Sequence, residues 1–169
     1  FCLGIFVSPT GAVSSVTIFS CIILGLSFDL LISYREIQNK VSLLAKKILL
    51  DQNEDLPLCL IVLSGAAVFA AELLKNLDPL MEVSLIKVNS YEGDQSSGKI
   101  NIDYIPYDLI HNRKVMLIED IVDSGLTFNF LKKELYNNGA KQVLCVSLLF
   151  KPDKYQYGVL PDYIGFEIG

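Results

Sequence analysis

Three acidic residues and the small residues that follow them have types and spacing suited to holding an anion. Glu119 and Asp120 are adjacent, and they directly follow an apolar run, 115–118, that is short enough to form a buried strand. Asp123 comes next, and a Ser-Gly-Leu-Thr segment, 124–127, leads into a helical pattern. Backbone N–H groups and the positive end of a helix meet at such a loop, so the segment predicts an anion site between strand and helix.

The residue types alone leave a second reading open, because Asp, Ser, Gly and Thr also cap helices and form turns in any α/β domain. Their order is more specific. Two acids, two apolar residues, a third acid, a small hydroxyl residue, glycine and threonine follow one another across 119–127. This order resembles the motif with which type I phosphoribosyltransferases hold phosphoribosyl pyrophosphate.

The resemblance implies a role for each part of the motif. Glu119 and Asp120 would accept hydrogen bonds from the ribose hydroxyls and hold Mg²⁺, with magnesium bridging the hydroxyls and the pyrophosphate. The loop after Asp123 would bind the 5′-phosphate with N–H groups, hydroxyls and the helix dipole, and Gly125 permits a positive φ and close approach. The predicted ribose- and phosphate-binding residues are Glu119, Asp120, Ile121, Val122, Ser124, Gly125, Leu126 and Thr127.

Composition places the chain among globular proteins of one domain. It has 169 residues, of which 51% are hydrophobic and 20% charged. The net charge of −5 and the scattered basic residues argue against a nucleic-acid partner. The four cysteines have no metal-site spacing and are expected to be reduced. The single histidine, His111, lies in a polar stretch and is expected at a surface turn, so a zinc site is not predicted.

The first 28 residues, Phe1 to Phe28, carry no charge and form an atypical apolar N-terminal segment. Pro9, two glycines and several hydroxyl residues interrupt its first twenty positions, and its cleanest apolar piece, Val16 to Leu26, is too short to span a membrane. No basic region precedes it, as a signal peptide would require. A membrane association is therefore not expected, although a membrane or targeting segment stays a minor alternative.

From Asp29 onward, apolar periodicity predicts alternating helices and strands. A capping box at 33–36 starts a helix, and the continuous apolar run after Pro57 indicates a strand covered on both faces. Alternating elements predict an α/β fold with a mainly parallel sheet flanked by helices. The predicted elements are a helix Tyr34–Leu50, a strand after Pro57, a helix Ala66–Leu77, a strand Glu82–Val88, a polar connection Ser90–Asn112, a helix from Phe128 closed by Gly139, and strands Gln142–Phe150 and Tyr163–Ile168.

Four further segments resemble one branch of that family, the hypoxanthine-guanine phosphoribosyltransferases. They are the pyrophosphate loop at Ser64, Gly65 and Ala66; the flexible loop that begins with Ser90 and Tyr91; the purine-binding lysine at Lys151; and the purine-stacking aromatic at Tyr163 with its neighbour Ile164. A loop that closes over the sugar would shield an oxocarbenium-like centre from water. The resemblance covers roughly residues 29–168.

Two departures from the family pattern stand out. Ser64 occupies a position where the family usually has Lys or Asn, so the turn is retained with a shorter side chain. The chain ends at Gly169, before the aspartate that holds a second magnesium in the family. We therefore expect the type I phosphoribosyltransferase fold with an incomplete hood, as a domain 29–169 whose C-terminal part is missing.

The resemblance implies a cytoplasmic purine-salvage enzyme that joins hypoxanthine or guanine to phosphoribosyl pyrophosphate and assembles as a homodimer or homotetramer. Asp123 would be the general base for the proton on the purine N7. One alternative is a catalytically poor protein of the same fold that binds phosphoribosyl pyrophosphate or a nucleotide as a regulator. Another is a transferase for a different base, since uracil, orotate and adenine transferases share the central loop.

Overall fold

The computed structural model describes residues 32–52, 55–90 and 100–169. The chain divides into two units, residues 1–40 and 41–169. Its elements are helix α1 (Tyr34–Asp51), strand β1 (Leu58–Leu63), helix α2 (Ala67–Leu74), strands β2 (Val83–Ser90), β3 (Ile100–Tyr104) and β4 (Lys114–Val122), helix α3 (Leu126–Asn137), and strands β5 (Gln142–Phe150) and β6 (Tyr163–Glu167). The apolar segment 1–28 lies outside the described residues.

Helix α1 begins with the predicted capping box. The backbone N–H of Ser33 donates to Glu36 Oε2 over 2.8 Å, and the N–H of Glu36 donates back to Ser33 Oγ over 3.3 Å. This reciprocal pair satisfies donors that a helix start otherwise leaves without partners. The helix ends at Asp51, one residue beyond the prediction. Among the described residues, no helix is long and apolar enough to cross a membrane.

Within the described residues, six strands form one sheet in the order β3-β2-β1-β4-β5-β6. Every pairing is parallel except that of β2 with β3, so the predicted mainly parallel sheet is confirmed. Strand β3 was not predicted, because residues 90–112 were expected to form a polar connection. Ile100 and Ile102 alternate with exposed Asn101 and Asp103, which is the pattern of a half-exposed edge strand. So short an alternation contains no continuous apolar run that would predict a strand from the sequence.

The central strands β1, β4 and β5 are buried on both faces, as their unbroken apolar runs predicted. Leu60, Leu117 and Cys145 join residues of α3 in one buried cluster. Cys59 and Cys145 are free thiols in the described part of the chain, and burial raises the pKa of the Cys59 thiol to about 12. The expectation of reduced cysteines is confirmed for these two, and Cys2 and Cys21 lie outside the described residues.

The contact between β5 and β6 depends on the missing side chain of Gly165. A Cβ atom there would collide with the backbone carbonyl oxygen of Leu148, and backbone cannot move aside as a flexible side chain can. We predict that Gly165→Ala lowers the free energy of unfolding by about 1–3 kcal/mol, as overpacking does, in urea denaturation. The control is Gly158→Ala, because no described atom lies within 4 Å of a Cβ at that position. Equal stability of the two variants would contradict the prediction.

Candidate active site

The carboxyl ends of β1, β4 and β5 meet at one edge of the sheet because these strands are parallel neighbours. The turn 64–66, the loop 123–125 and Lys151 leave the sheet there. In open α/β sheets this edge is where ligands bind. A pocket of ≈ 100 Å³ opens at the edge, and its lining residues are Glu119, Ile121, Val122, Asp123, Ser124, Gly125, Leu126, Thr127 and Phe128. The predicted anion-binding loop thus lines a pocket.

The two adjacent acids lie within β4 and not after it. The strand continues to Val122, where the sequence had suggested an end at Ile118. Because successive strand residues point to opposite faces, Glu119 lines the pocket whereas Asp120 faces the β1–α2 turn. Glu119 is 7% exposed, and burial together with the neighbouring charge of Asp120 raises its pKa to about 8. Asp120 Oδ1 accepts the N–H of Ile121 over 2.9 Å.

The turn between β1 and α2 packs directly against the Asp120 carboxylate. A Cβ atom on Gly65 would lie 2.5 Å from Asp120 Oδ2, so only glycine leaves room for the carboxylate in its present position. Ser64 and Gly65 are exposed, and the peptide bond between Leu63 and Ser64 is cis. Ala66 is buried, and its N–H donates to Val62 O within the turn over 3.3 Å. The structure therefore places the predicted pyrophosphate loop, 64–66, beside Asp120, one of the two acids predicted to bind the ribose hydroxyls.

Asp123 and Lys151 form an ion pair across the ends of β4 and β5. Lys151 Nζ lies 3.5 Å from Asp123 Oδ2, and the N–H of Lys151 donates to Val122 O over 3.0 Å. The other carboxylate oxygen, Asp123 Oδ1, is buried without a hydrogen-bond partner among the described residues. A buried acceptor of this kind is costly and marks a position where a ligand can donate a proton or hydrogen bond.

The loop after Asp123 has the conformation that the sequence predicted. Gly125 adopts φ +83°, and helix α3 begins at Leu126, two residues before the predicted start at Phe128. Ser124 Oγ accepts the N–H of Leu126 over 3.4 Å, a long bond that an anion oxygen would replace. The helix N-terminus lies against the pocket, where its partial positive charge favours an anion.

Two residues that the sequence did not single out hold this loop. Asn129 Nδ2 donates to Gly125 O over 2.9 Å and to the hydroxyl of Tyr155 over 3.2 Å. The ring of Tyr155 fills the space that a Cβ atom on Gly125 would occupy. Tyr155 is thirty residues beyond Gly125 in the sequence, and only the loop between β5 and β6 returns it to this place, so no local signal identifies it.

The structure does not bring Tyr163 or Ile164 to the pocket. Tyr163 is the first residue of β6 and pairs with Val146, four residues before β5 ends at Phe150. Strand β6 therefore begins level with the middle of β5, about 13 Å from the carboxyl end of β5 at 3.3 Å per residue. Ile164 pairs with Ser147 and packs on the core. The prediction that these two residues contact the purine is therefore wrong.

Tyr163 is instead a core residue joined to the end of α1. It is 4% exposed, its hydroxyl accepts a hydrogen bond from Gln52 Nε2 over 2.9 Å, and the same hydroxyl donates to Asp51 Oδ2 over 3.2 Å. Lys47 Nζ lies 5.4 Å from the ring centroid. From the sequence, an aromatic residue at the start of a strand could stack on a purine or pack in the core. The strand register decides between these two roles.

Only the first residue of the predicted flexible loop, Ser90, belongs to the described part of the chain. Ser90 is the last residue of β2 and pairs with Ile100, which places the start of that loop at the carboxyl end of a parallel strand. Tyr91 lies outside the described residues. The prediction for this loop stays open.

Glu119 and Asp120 suit a magnesium ion whose remaining ligands come from the substrate. Among the described residues, no three acidic, histidine or cysteine side chains are arranged to hold a metal ion. Mg²⁺ is commonly held by one or two carboxylates together with substrate phosphates. Glu119 and Asp120 supply two such carboxylates, and the raised pKa of Glu119 shows that this position lacks a compensating positive charge.

Comparison with known proteins gives one consistent family. Residues 33–168 match the model of the phosphoribosyl transferase domain. A hypoxanthine-guanine phosphoribosyltransferase of Bacillus subtilis is 36% identical over 139 residues, which are 82% of this chain and 77% of that protein. The corresponding protein of Lactococcus lactis is 35% identical over 82% of this chain and 75% of its own length.

Solved structures agree with the sequence relatives. The hypoxanthine phosphoribosyltransferase of Staphylococcus aureus superposes with a TM-score of 0.76 at 28% identity, covering 83% of this chain and 77% of that one. A hypoxanthine-guanine phosphoribosyltransferase of Bacillus anthracis gives 0.75 at 31% identity, covering 84% and 82%.

The role of Tyr163 in the core can be tested by removing its hydroxyl group. Tyr163→Phe removes a hydroxyl that bonds to both Gln52 and Asp51, so we predict a loss of about 1–2 kcal/mol in the free energy of unfolding. Urea denaturation measures the loss, with the exposed Tyr104→Phe as the control. A variant with unchanged stability but weakened binding of a purine base would restore the rejected stacking role.

The buried carboxyl of Glu119 should make the stability of the ligand-free protein depend on pH. Its folded pKa of about 8 exceeds the value of 4.5 expected for an unfolded chain, so the folded state binds more protons between these pH values. We predict that stability falls from pH 5 to pH 8, by at most about 1.4 kcal/mol per pH unit from this group.

Glu119→Gln removes the titrating group and should flatten this dependence in urea denaturation at pH 5, 6.5 and 8. The control is Glu167→Gln, since Glu167 is exposed at the end of β6. Parallel pH profiles for the wild type and Glu119→Gln would refute the prediction.

Proposed function

The chain belongs to the phosphoribosyl transferase domain family, and from this premise we propose that it is a hypoxanthine-guanine phosphoribosyltransferase. It would transfer the phosphoribosyl group of phosphoribosyl pyrophosphate to a 6-oxopurine and release pyrophosphate. The mainly parallel sheet flanked by helices agrees with the fold of the structural neighbours. The observation that carries the proposal is the Asp123 carboxylate, whose Oδ1 is buried without a hydrogen-bond partner among the described residues and whose Oδ2 lies 3.5 Å from Lys151 Nζ.

In this proposal the base lies between Asp123 and Lys151. Asp123 Oδ1 accepts the proton that leaves the purine N7 as a bond forms between N9 and C1′ of the ribose. Lys151 Nζ donates a hydrogen bond to the exocyclic oxygen of a 6-oxopurine. The 3.5 Å ion pair holds Asp123 and Lys151 side by side, so one purine ring can meet both side chains. A lysine at this place also argues for hypoxanthine or guanine over a base that presents an amino group there.

The sugar and its phosphates occupy the rest of the edge. The 5′-phosphate binds in the pocket of the loop 123–127, and the ribose hydroxyls lie at Glu119 and Asp120. The leaving pyrophosphate lies over the turn 64–66, where Ser64 and Gly65 are exposed. The N–H of Ala66 already donates to Val62 O, so we assign the turn's donors to the two residues before it.

Magnesium completes the proposed site. Glu119 and Asp120 would hold the ion through the ribose hydroxyls, and the ion would offset the negative charge that accumulates on pyrophosphate as it leaves. Burial and the neighbouring Asp120 already make ionisation of Glu119 unfavourable, and an anionic substrate would add to this repulsion, so a cation that offsets it favours binding. A homodimer or homotetramer and a cytoplasmic location remain predictions from the family resemblance.

Replacing the proposed base separates binding from chemistry. Asp123→Asn keeps the size of the side chain but cannot take the N7 proton, so we predict a fall in kcat of about 10²–10⁴-fold. Binding of phosphoribosyl pyrophosphate with Mg²⁺, measured by calorimetry, should be retained because the loop's backbone donors remain. The control is Asp153→Asn, an exposed aspartate two residues beyond Lys151, which should turn over normally.

Near-normal turnover of Asp123→Asn would refute the base assignment. If the wild type binds phosphoribosyl pyrophosphate but converts no base, the protein is a binder of the same fold and the proposed reaction is wrong. A preference for uracil or adenine in a competition assay with hypoxanthine and guanine would contradict the proposed substrate class.

A further inference from the structure

The segment 155–157, in the loop between β5 and β6, packs on the outer side of the phosphate-binding loop. A Cβ atom on Gly125 would collide with Tyr155, lying 2.8 Å from its Cδ2 atom, and would lie 3.0 Å from Cδ2 of Tyr157. The Tyr155 ring therefore occupies the space that a side chain at position 125 would fill. Gly125 needs to be glycine for two reasons, its positive φ and this aromatic cover.

Hydrogen bonds connect two successive carbonyl groups of the loop to this segment, the first directly and the second through Asn129 of α3. The N–H of Gln156 donates to Ser124 O over 3.1 Å. Asn129 Nδ2 donates one hydrogen to Gly125 O and the other to the hydroxyl of Tyr155. The Tyr155 hydroxyl donates its own hydrogen to Val159 O. Each donor is used once, so the network is complete without water.

Tyr155 is itself held by the end of β5. Its ring packs edge to face on Phe150, with 5.2 Å between centroids, and on Tyr157 at 6.0 Å. Phe150 is 2% exposed and belongs to the buried core. The cover over Gly125 is therefore attached to the rigid part of the molecule, and does not depend on the loop that it covers.

These contacts fix the direction of the loop's donors. In a trans peptide the C=O and the following N–H point in opposite directions. Holding the carbonyl of Ser124 toward Gln156 therefore turns the N–H of Gly125 away from the segment 155–157, and holding the carbonyl of Gly125 toward Asn129 turns the N–H of Leu126 away from that side chain. Ser124, Gly125 and Leu126 all line the pocket, so these fixed donors belong to its wall. Donors that are already aimed need no reorganisation when an anion binds.

We propose that Tyr155, acting through Gly125 and Asn129, is a positioning residue for the 5′-phosphate of the substrate. The identity of that ligand rests on the proposed function. Tyr155 itself is not assigned a contact with the substrate, and its effect is to keep the loop in its binding conformation before the phosphate arrives. Loss of Tyr155 weakens the binding of compounds that carry a ribose 5-phosphate and spares ligands of the turn 64–66.

The test measures two probes by calorimetry in buffer with Mg²⁺: ribose 5-phosphate, which requires the loop, and inorganic pyrophosphate, which requires the turn 64–66. Tyr155→Leu removes both the ring cover and the hydroxyl, and we expect the Kd of ribose 5-phosphate to rise about tenfold. Tyr155→Phe keeps the ring and loses the hydrogen bonds to Asn129 and Val159, so a rise of about threefold to fivefold is expected. The Kd of pyrophosphate should stay unchanged in both.

The matched control is Tyr107→Phe. Tyr107 also donates its hydroxyl to a residue of α3, Glu134, over 2.9 Å, so the same atom is deleted from the same helix away from the loop. It should change neither Kd. Steady-state kinetics give a second readout: for the Tyr155 variants we expect a higher KM for phosphoribosyl pyrophosphate with kcat and the KM for the base unchanged. A general loss of stability would affect both probes alike.

The outcomes separate the two claims. If the wild type binds neither probe, the proposed function fails and this inference fails with it. If the wild type binds both and Tyr155→Phe and Tyr155→Leu bind ribose 5-phosphate equally well, only the positioning role is refuted. Should Tyr155→Leu fail to fold, Tyr155→Phe decides the question, because it keeps the ring packed on Phe150 and Gly125. An equal weakening of both probes also overturns the role.

Discussion

The parallel pairing of β1, β4 and β5 is the constraint on which the rest of this structure depends. Ile118 of β4 is paired with Ile61 on one side and Val146 on the other, so the three strands run in step toward one edge. Each strand carries its polar residues immediately after its apolar run. Acids, small residues and a lysine that are far apart in the sequence therefore collect beside one pocket, while the apolar runs behind them form the buried centre of the sheet.

This arrangement places two adjacent carboxyl groups where an anionic substrate is expected. Glu119 and Asp120 diverge to opposite faces of β4, and burial together with the nearby charge of Asp120 raises the pKa of Glu119. The loop beyond them has the opposite character, with backbone donors and a helix N-terminus. A ligand with hydroxyls, phosphates and a divalent cation satisfies both parts, and a simple anion satisfies only the loop.

The phosphate loop is supported from two directions. On the inner side it continues from β4, whose strand pairing extends as far as Val122 beside Phe150. On the outer side it is covered by Tyr155 and tied through Asn129 and Gln156. Such support suits a loop that must present several N–H groups at once, since each flexible peptide would lose conformational freedom on binding.

The sequence by itself determined the features that depend on neighbouring residues: the capping box at 33–36, the buried strands, the glycine with positive φ at position 125, and the family. Each follows from local patterns, because helix caps, apolar runs and tight turns are settled within a few residues. Only the tertiary structure decided that β3 forms an edge strand, that Tyr163 is a core residue bonded to Gln52, and that Tyr155 covers Gly125. Those outcomes depend on strand register and on where a loop returns, and contacts between residues distant in sequence leave no periodic signal to read.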